Sequence, residues 1–172
     1  IDEGRKKPVF SYNEDQKTLR ILANIEEGLF RKFANALKQH PQAKIVALGS
    51  NGGSVVEALR MGLLIRQLGL ETALYDDCYS ACTLVFLGGV ERKVWSPYPT
   101  LGFHRASIDG EAIPDSDSLY DRLWTYADSM TGNGSVVVRA MQSAQPSNFF
   151  QFRPEQLCDV GVATWVQRRC PQ

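Results

Sequence analysis

The sequence lacks an excess of either charge, long apolar runs and clusters of metal-binding residues. Its 172 residues carry 19 basic and 19 acidic side chains with no basic block, so nucleic acid is not expected as a partner. No apolar run approaches the roughly 18–20 residues that a membrane-spanning helix needs. Only two histidines and four cysteines are present, without zinc-ligand spacing, so neither a metal nor a cofactor is expected.

What is present fits one domain over residues 1–172. A hydrophobic fraction of 44% in a chain of this length is enough for a proper core. No internal repeat or linker divides the chain. We expect residues 1–7 to be loose and residues 106–117 to form an exposed loop. The start at Ile1 rather than Met is compatible with a removed leader.

The even number of cysteines favours disulfides and an exported location, periplasmic or secreted. Cys158 and Cys170 flank the last segment, where a bridge would stabilise the chain by roughly 3 kcal/mol. Cys78 and Cys82 either pair with each other across the intervening turn or remain small buried thiols. The alternative is a cytoplasmic protein with four reduced cysteines.

Hydrophobic periodicity predicts an α/β fold in which strands alternate with helices. The predicted strands are residues 9–12, 18–23, 44–48, 71–75, 93–95, 100–103 and 162–166. The predicted helices begin near Asn24, Val55, Ser80, Ser118, Val136 and Pro154. Helical crossovers imply a parallel sheet, whose ligands bind at the carboxyl ends of the strands.

Two of these helices carry more detailed predictions. Asn24 and Glu27 resemble the capping box of the first helix. The face of the second helix that packs inward is predicted to consist of Val55, Leu59, Gly62 and Leu63.

Ser80 is the candidate nucleophile. It stands among small residues between a strand end and a buried helix, where free N–H groups and the helix dipole favour an oxyanion. The segment is not a Gly-x-Ser-x-Gly elbow, because Cys78 and Cys82 stand where the two glycines would be. Taken alone, such a serine is more often a helix cap.

His104 is the candidate base, because it ends a strand at the same side of the predicted sheet and has an ordinary pKa near working pH. A lone histidine is more often structural, and His40 at a helix end is read as surface. Gly52 and Gly53 form a turn whose N–H groups can approach a substrate without an intervening side chain. Together with the Ala81 N–H, this turn would form a two-donor oxyanion hole.

As a set, these motifs resemble the ClpP-like serine peptidases of the ClpP/crotonase superfamily. Residues 50–53 are similar to the family's Ser-Pro-Gly-Gly turn, and His104 follows Ser80 by 24 residues, a spacing similar to the family's. Residues 154–162 are similar to its closing segment. The sequence Ser-Ala-Cys-Thr followed by Phe-Leu-Gly-Gly resembles an exported bacterial branch.

The resemblance implies a crotonase-like spiral of ββα units, peptide-bond hydrolysis and assembly into a homo-oligomer. It assigns the nucleophile to Ser80, the base to His104 and the oxyanion donors to the N–H groups of Gly53 and Ala81. The family's aspartate position holds Asn148. An asparagine can orient a neutral imidazole but cannot stabilise an imidazolium, and loss of the carboxylate costs on the order of 10⁴ in rate.

Three functions remain open from the sequence. The first is a serine endopeptidase acting on peptides or proteins, with no identifiable ATPase partner. The second is a weak or inactive module that binds peptides or assembles, and the third is a crotonase-type enzyme acting on an acyl-CoA. Of the other acids, Asp76, Asp77 and Asp121 are predicted to be helix caps, and residues 106–117 could bring an acid over His104.

Overall fold

A computed structural model describes residues 8–171 as an α/β domain, so the expectation for residues 1–7 lies outside the described residues. The strands are β1 (Val9–Asn13), β2 (Thr18–Leu22), β3 (Ile45–Ser50), β4 (Glu71–Tyr79), β5 (Arg92–Val94), β6 (Leu101–Gly102), β7 (Ser107–Ile108), β8 (Glu111–Ala112) and β9 (Trp165–Val166). The helices are α1 (Leu29–Gln39), α2 (Val55–Gln67), α3 (Ala81–Leu87), α4 (Ser118–Thr131), α5 (Gly134–Gln142) and α6 (Pro154–Asp159).

The main sheet is parallel except at one edge. Strands β2, β3, β4, β5 and β9 lie side by side in that order and run parallel, while β1 pairs antiparallel with β2. Helices α1, α2 and α3 connect successive strands from β2 to β5, which confirms the predicted parallel sheet with helical crossovers. The core between sheet and helices includes Val46, Phe33, Met61 and Phe86, all almost fully buried.

Strand β4 extends four residues beyond its predicted end and is shared between two neighbours. Its first half pairs with β5, and its last residues pair with β6 through Cys78–Leu101 and Tyr79–Gly102. Asp76 and Asp77, which were predicted to be helix caps, therefore lie within the strand. The Asp77 carboxylate accepts hydrogen bonds from the Thr100 N–H at 2.8 Å and the Thr100 hydroxyl at 3.1 Å. Asp77 thus secures the start of β6 instead of capping α3.

Helix α1 begins at Leu29, five residues later than predicted. Ile25 forms a bridge with Gly53 and donates its N–H to the Gly52 carbonyl at 2.8 Å, so this part of the chain cannot be helical. The cap comes instead from α2. The buried Glu57 carboxylate accepts from the N–H groups of Gly28 and Phe30 at 2.8 and 2.9 Å, where the helix dipole favours a negative charge.

The inward face of α2 also differs from its prediction. Its buried residues are Glu57, Ala58, Met61, Gly62 and Ile65. Leu63 is 54% exposed, and Val55 and Leu59 are only partly buried. Apolar residues occur on most sides of this helix, so periodicity alone does not select a face. Close packing of Gly62 against Gly88 after α3 selects it.

Both candidate cysteine pairs form disulfides. Cys78 and Cys82 are joined with Cα atoms 5.2 Å apart, and Cys158 and Cys170 with Cα atoms 6.3 Å apart. Residues 106–117 are mostly exposed and contain the small hairpin of β7 and β8. Within residues 8–171, no helix has the length and apolarity to cross a bilayer, and no group of three metal-ligating side chains occurs.

The cap of α1 can be tested by substitution. Glu57→Ala should lower the free energy of unfolding by about 2 kcal/mol, because it leaves two helix N–H groups without a charged acceptor. The exposed Glu27, which lies near the same helix end, provides the matched control, and Glu27→Ala should change stability by less than about 0.5 kcal/mol. Urea unfolding measures both, and equal losses would contradict the assignment of the cap to Glu57.

Candidate functional site

Ser80 occupies a sharp turn between β4 and α3. Its φ of 58° and ψ of −127° are unusual for a non-glycine residue and cost about 1–3 kcal/mol unless the surroundings enforce them. Its N–H donates to the Gly102 carbonyl at 2.8 Å, and its carbonyl accepts from the N–H and hydroxyl of Thr83 at 2.9 and 2.7 Å. The side chain makes no cap hydrogen bond, although Ser80 is the N-cap residue. The backbone thus secures the turn and leaves the hydroxyl without a capping role.

The glycine turn lies directly against Ser80. Gly52 has a φ of 104°, and a Cβ on it would stand 2.7 Å from the Ser80 Cβ and 2.9 Å from the Tyr79 carbonyl oxygen. Gly53 has a φ of 142° and packs against the Ile25 backbone. Glycine is therefore required at Gly52 both by conformation and by space.

Two backbone donors lie on the two segments that meet at the serine turn. Ala81 is the first residue of α3, so its N–H has no acceptor within the helix. Among residues 8–171, neither the Ala81 N–H nor the Gly53 N–H donates a hydrogen bond to another residue. A pair of free amides beside a hydroxyl is the arrangement that an oxyanion requires.

His104 lies at the same edge of the sheet as Ser80. The pairing of Tyr79 with Gly102 and the hydrogen bond from Ser80 to Gly102 place residues 103–104 beside the serine turn. Phe103 is held from the other side by two backbone hydrogen bonds with Phe150, at 2.9 and 2.7 Å. The Ser80 hydroxyl and the His104 imidazole are not hydrogen-bonded to each other; such contacts are often long until a substrate is bound.

The His104 ring is oriented by the main chain. Its Nδ1 lies 3.2 Å from the backbone carbonyl oxygen of Asn148. Because a carbonyl can only accept, the proton is on Nδ1, and Nε2 keeps its lone pair. The ring stacks on Phe149 with centroids 4.8 Å apart, and Phe149 stacks on Tyr79 at 4.4 Å. The ring is thus fixed both by a hydrogen bond and by an aromatic stack.

Burial lowers the pKa of His104 from its usual 6.5, because a charged imidazole loses hydration there. Hydrogen bonds to the backbone carbonyls of Asn148 and Pro146 favour the protonated form and offset part of this effect. The neutral ring therefore predominates at neutral pH, as a general base requires.

The contribution of Asn148 differs from the expected one. The sequence interpretation used its side chain, whereas the contact with His104 is made by its backbone carbonyl. Sequence reasoning also missed Phe149. The signal was present, since three phenylalanines lie between Asn148 and Pro154 in a segment that had no assigned role.

Asp115 and Asp117, from the segment expected to bring an acid over His104, are engaged elsewhere. Asp115 pairs with the Arg105 guanidinium at 3.2 Å, and Arg105 also donates to the Gln142 carbonyl at 2.9 Å. Asp117 is the N-cap of α4, so the predicted capping role of Asp121 is wrong. Among residues 8–171, no carboxylate forms a hydrogen bond with His104.

Comparison with solved structures identifies the fold. A mutant of the membrane-bound stomatin-specific protease 1510-N superimposes with a TM-score of 0.66 at 17% identity, covering 88% of this chain and 78% of that one. A mutant of ClpP1 from Listeria monocytogenes gives 0.65 at 13% identity, and ClpP1 itself gives 0.64 at 15%, each covering 88% of this chain and 91% of the other. The chain thus has a ClpP-like fold. No protein-family model and no curated protein sequence matches it.

The contact between Gly52 and Ser80 leads to a prediction about stability. Gly52→Ala should destabilise the protein by about 3 kcal/mol, because the new methyl group overlaps the serine turn and the residue has a positive φ. Gly69 provides the control: it has a φ of 69° but no atom within 4 Å of an added Cβ. Gly69→Ala should cost only about 1 kcal/mol. Denaturant unfolding measures both, and equal costs would show that Ser80 does not crowd this position.

Proposed function

We propose that this protein is a serine peptidase in which Ser80 attacks the carbonyl carbon of a peptide bond. The observation that carries the proposal is the turn at Ser80. A serine with a positive φ, whose hydroxyl makes no cap hydrogen bond, lies against a glycine turn, and among residues 8–171 the N–H groups of Gly53 and Ala81 donate to no other residue. Backbone strain of this kind is characteristic of sites where a nucleophile is preorganised.

The residues take complementary roles in this reaction. As the Ser80 Oγ forms a bond to the carbonyl carbon, its proton passes to Nε2 of His104. The N–H groups of Gly53 and Ala81 donate to the developing oxyanion. His104 then gives the proton to the leaving amine as the peptide bond breaks. Water, deprotonated by the same nitrogen, releases the acyl group and restores the hydroxyl.

The Asn148 carbonyl performs one part of the role of an aspartate. It holds the Nδ1–H tautomer and thus directs the lone pair of Nε2 outward. It carries no full charge, so it stabilises the transient imidazolium less than a carboxylate does. We therefore infer a slow peptidase, with a rate below that of a carboxylate triad by up to the order of 10⁴.

The similar structures support a substrate class, and the disulfides support a location. The structures with this fold include proteins named as a protease and as ClpP1, which supports peptides or proteins as substrates. Assembly into a homo-oligomer, without an ATPase partner, belongs to the same proposal. Two disulfides support an oxidising compartment, periplasmic or secreted.

Two observations favour a second function, that of a peptide-binding or assembly module without catalysis. The hydroxyl of Ser80 and the imidazole of His104 are not hydrogen-bonded, and no carboxylate of residues 8–171 is hydrogen-bonded to the ring. Acyl-CoA chemistry would use the same glycine turn, but no observation on the described residues favours it.

A fluorophosphonate probe tests the nucleophile. The wild-type protein should be labelled at Ser80, and Ser80→Ala should abolish labelling because the attacking oxygen is removed. His104→Ala should slow labelling by at least about 100-fold through loss of the base. Ser129→Ala, on α4, is the control and should leave the rate unchanged. A folded wild-type protein that resists labelling would instead support the non-catalytic module.

The partial burial of His104 predicts how the labelling rate depends on pH. Only the neutral imidazole can accept the serine proton, so the labelling rate should rise with pH. Its midpoint should lie below the usual 6.5, because burial lowers the pKa of His104.

Asn148→Ala should retain the midpoint and keep the rate within about twofold, since the backbone carbonyl is unchanged. A large loss of labelling rate in Asn148→Ala would show that the Asn148 side chain, and not its backbone carbonyl, orients His104.

A further inference from the structure

The Cys78–Cys82 disulfide encloses the serine turn. Ser80 lies midway between the two cysteines, which are four positions apart in sequence. Cys78 is 0% and Cys82 is 1% exposed, whereas Ser80 is partly exposed. The bridge therefore lies on the core side of the turn, under the residue that must meet the substrate.

The bridge joins the two elements that meet at this turn. Cys78 belongs to the end of β4, where it pairs with Ser50 of β3 and Leu101 of β6, and its N–H donates to the Thr100 carbonyl at 2.9 Å. Cys82 belongs to the first turn of α3. A covalent link between them restricts the angle at which α3 leaves the sheet. That angle sets the direction of the first free N–H of the helix.

Hydrogen bonds secure Ser80 on either side but do not span the turn. The Ser80 N–H is tied to Gly102 in β6, and the Ser80 carbonyl is tied to Thr83 in α3. The disulfide connects the two sides directly. In a Gly-x-Ser-x-Gly elbow, small residues at the two flanking positions allow the sharp turn; here a bond between side chains occupies them. A residue with an unfavourable φ persists only where its surroundings over-determine it.

We propose that the Cys78–Cys82 disulfide is a positioning element for catalysis, which holds Ser80 and the Ala81 N–H in the geometry needed for acyl transfer. Cys78 and Cys82 are positioning residues, since neither touches the substrate. The inference rests on the proposed peptidase function and extends it to the covalent support of the nucleophile.

The second disulfide makes it possible to separate positioning from stability. Cys158 and Cys170 are 12 positions apart and lie in the closing segment, in α6 and after β9. A longer closed loop restricts the unfolded chain more, so this bridge should contribute more to stability than the short one. If disulfides served only stability here, removal of the Cys158–Cys170 bridge should have the larger effect in every assay.

The experiment compares Cys78→Ala/Cys82→Ala with Cys158→Ala/Cys170→Ala. For each protein, the maximal inactivation rate and the apparent affinity for a fluorophosphonate are measured together with the thermal midpoint. The first variant should lose at least about tenfold in maximal rate with an affinity within about threefold, because misplaced donors act on the transition state. The second should have the larger decrease in thermal midpoint and a rate within about twofold of wild type.

The outcomes distinguish the two proposals. If wild type is labelled and Cys78→Ala/Cys82→Ala is labelled equally fast, the positioning role is overturned and the peptidase stands. If wild type is not labelled, the peptidase is overturned and the positioning role with it. Cys78→Val/Cys82→Ala retains more core volume and replaces the first variant if that one does not fold. If neither folds while Cys158→Ala/Cys170→Ala does, the bridge is a requirement of folding and the positioning role is overturned.

Discussion

The positive φ of Ser80 is the constraint on which the site depends. An L-residue keeps this conformation only where neighbouring structure enforces it, and the enforcing groups come from different parts of the chain. Gly102 of β6 accepts from the Ser80 N–H, Thr83 of α3 donates to its carbonyl, and Gly52 fits against its side chain because it has none of its own. The sheet, the first turn of α3 and the glycine turn must therefore form together.

The same arrangement explains why the acidic residues before Ser80 continue the strand. β4 has to reach Tyr79 in order to pair with Gly102 and bring β6 to the site. Asp77 makes this possible by accepting both donors of Thr100 at the entrance to β6. Its carboxylate is thus used to support the edge of the sheet, and His104 receives its partner from elsewhere.

That partner is a backbone carbonyl, which gives the imidazole an unusual electrostatic setting. A carboxylate would raise the pKa of the ring, whereas burial beside Phe149 lowers it. In the proposed reaction, the neutral ring is available to accept a proton at neutral pH, but the imidazolium that would form is stabilised less than it would be beside a carboxylate. The Asn148 backbone carbonyl fixes the direction of the Nε2 lone pair of His104, but it contributes no full negative charge.

The sequence by itself determined the alternation of strands and helices and the order of the motifs, because periodicity and turn residues act locally. It also indicated Ser80, His104 and the glycine turn. Only the tertiary structure decided that Glu57 caps α1, which face of α2 is buried, and that Asn148 contacts His104 through its backbone carbonyl. Those contacts join residues far apart in the chain, and every residue has a backbone carbonyl, so no residue type marks them in advance.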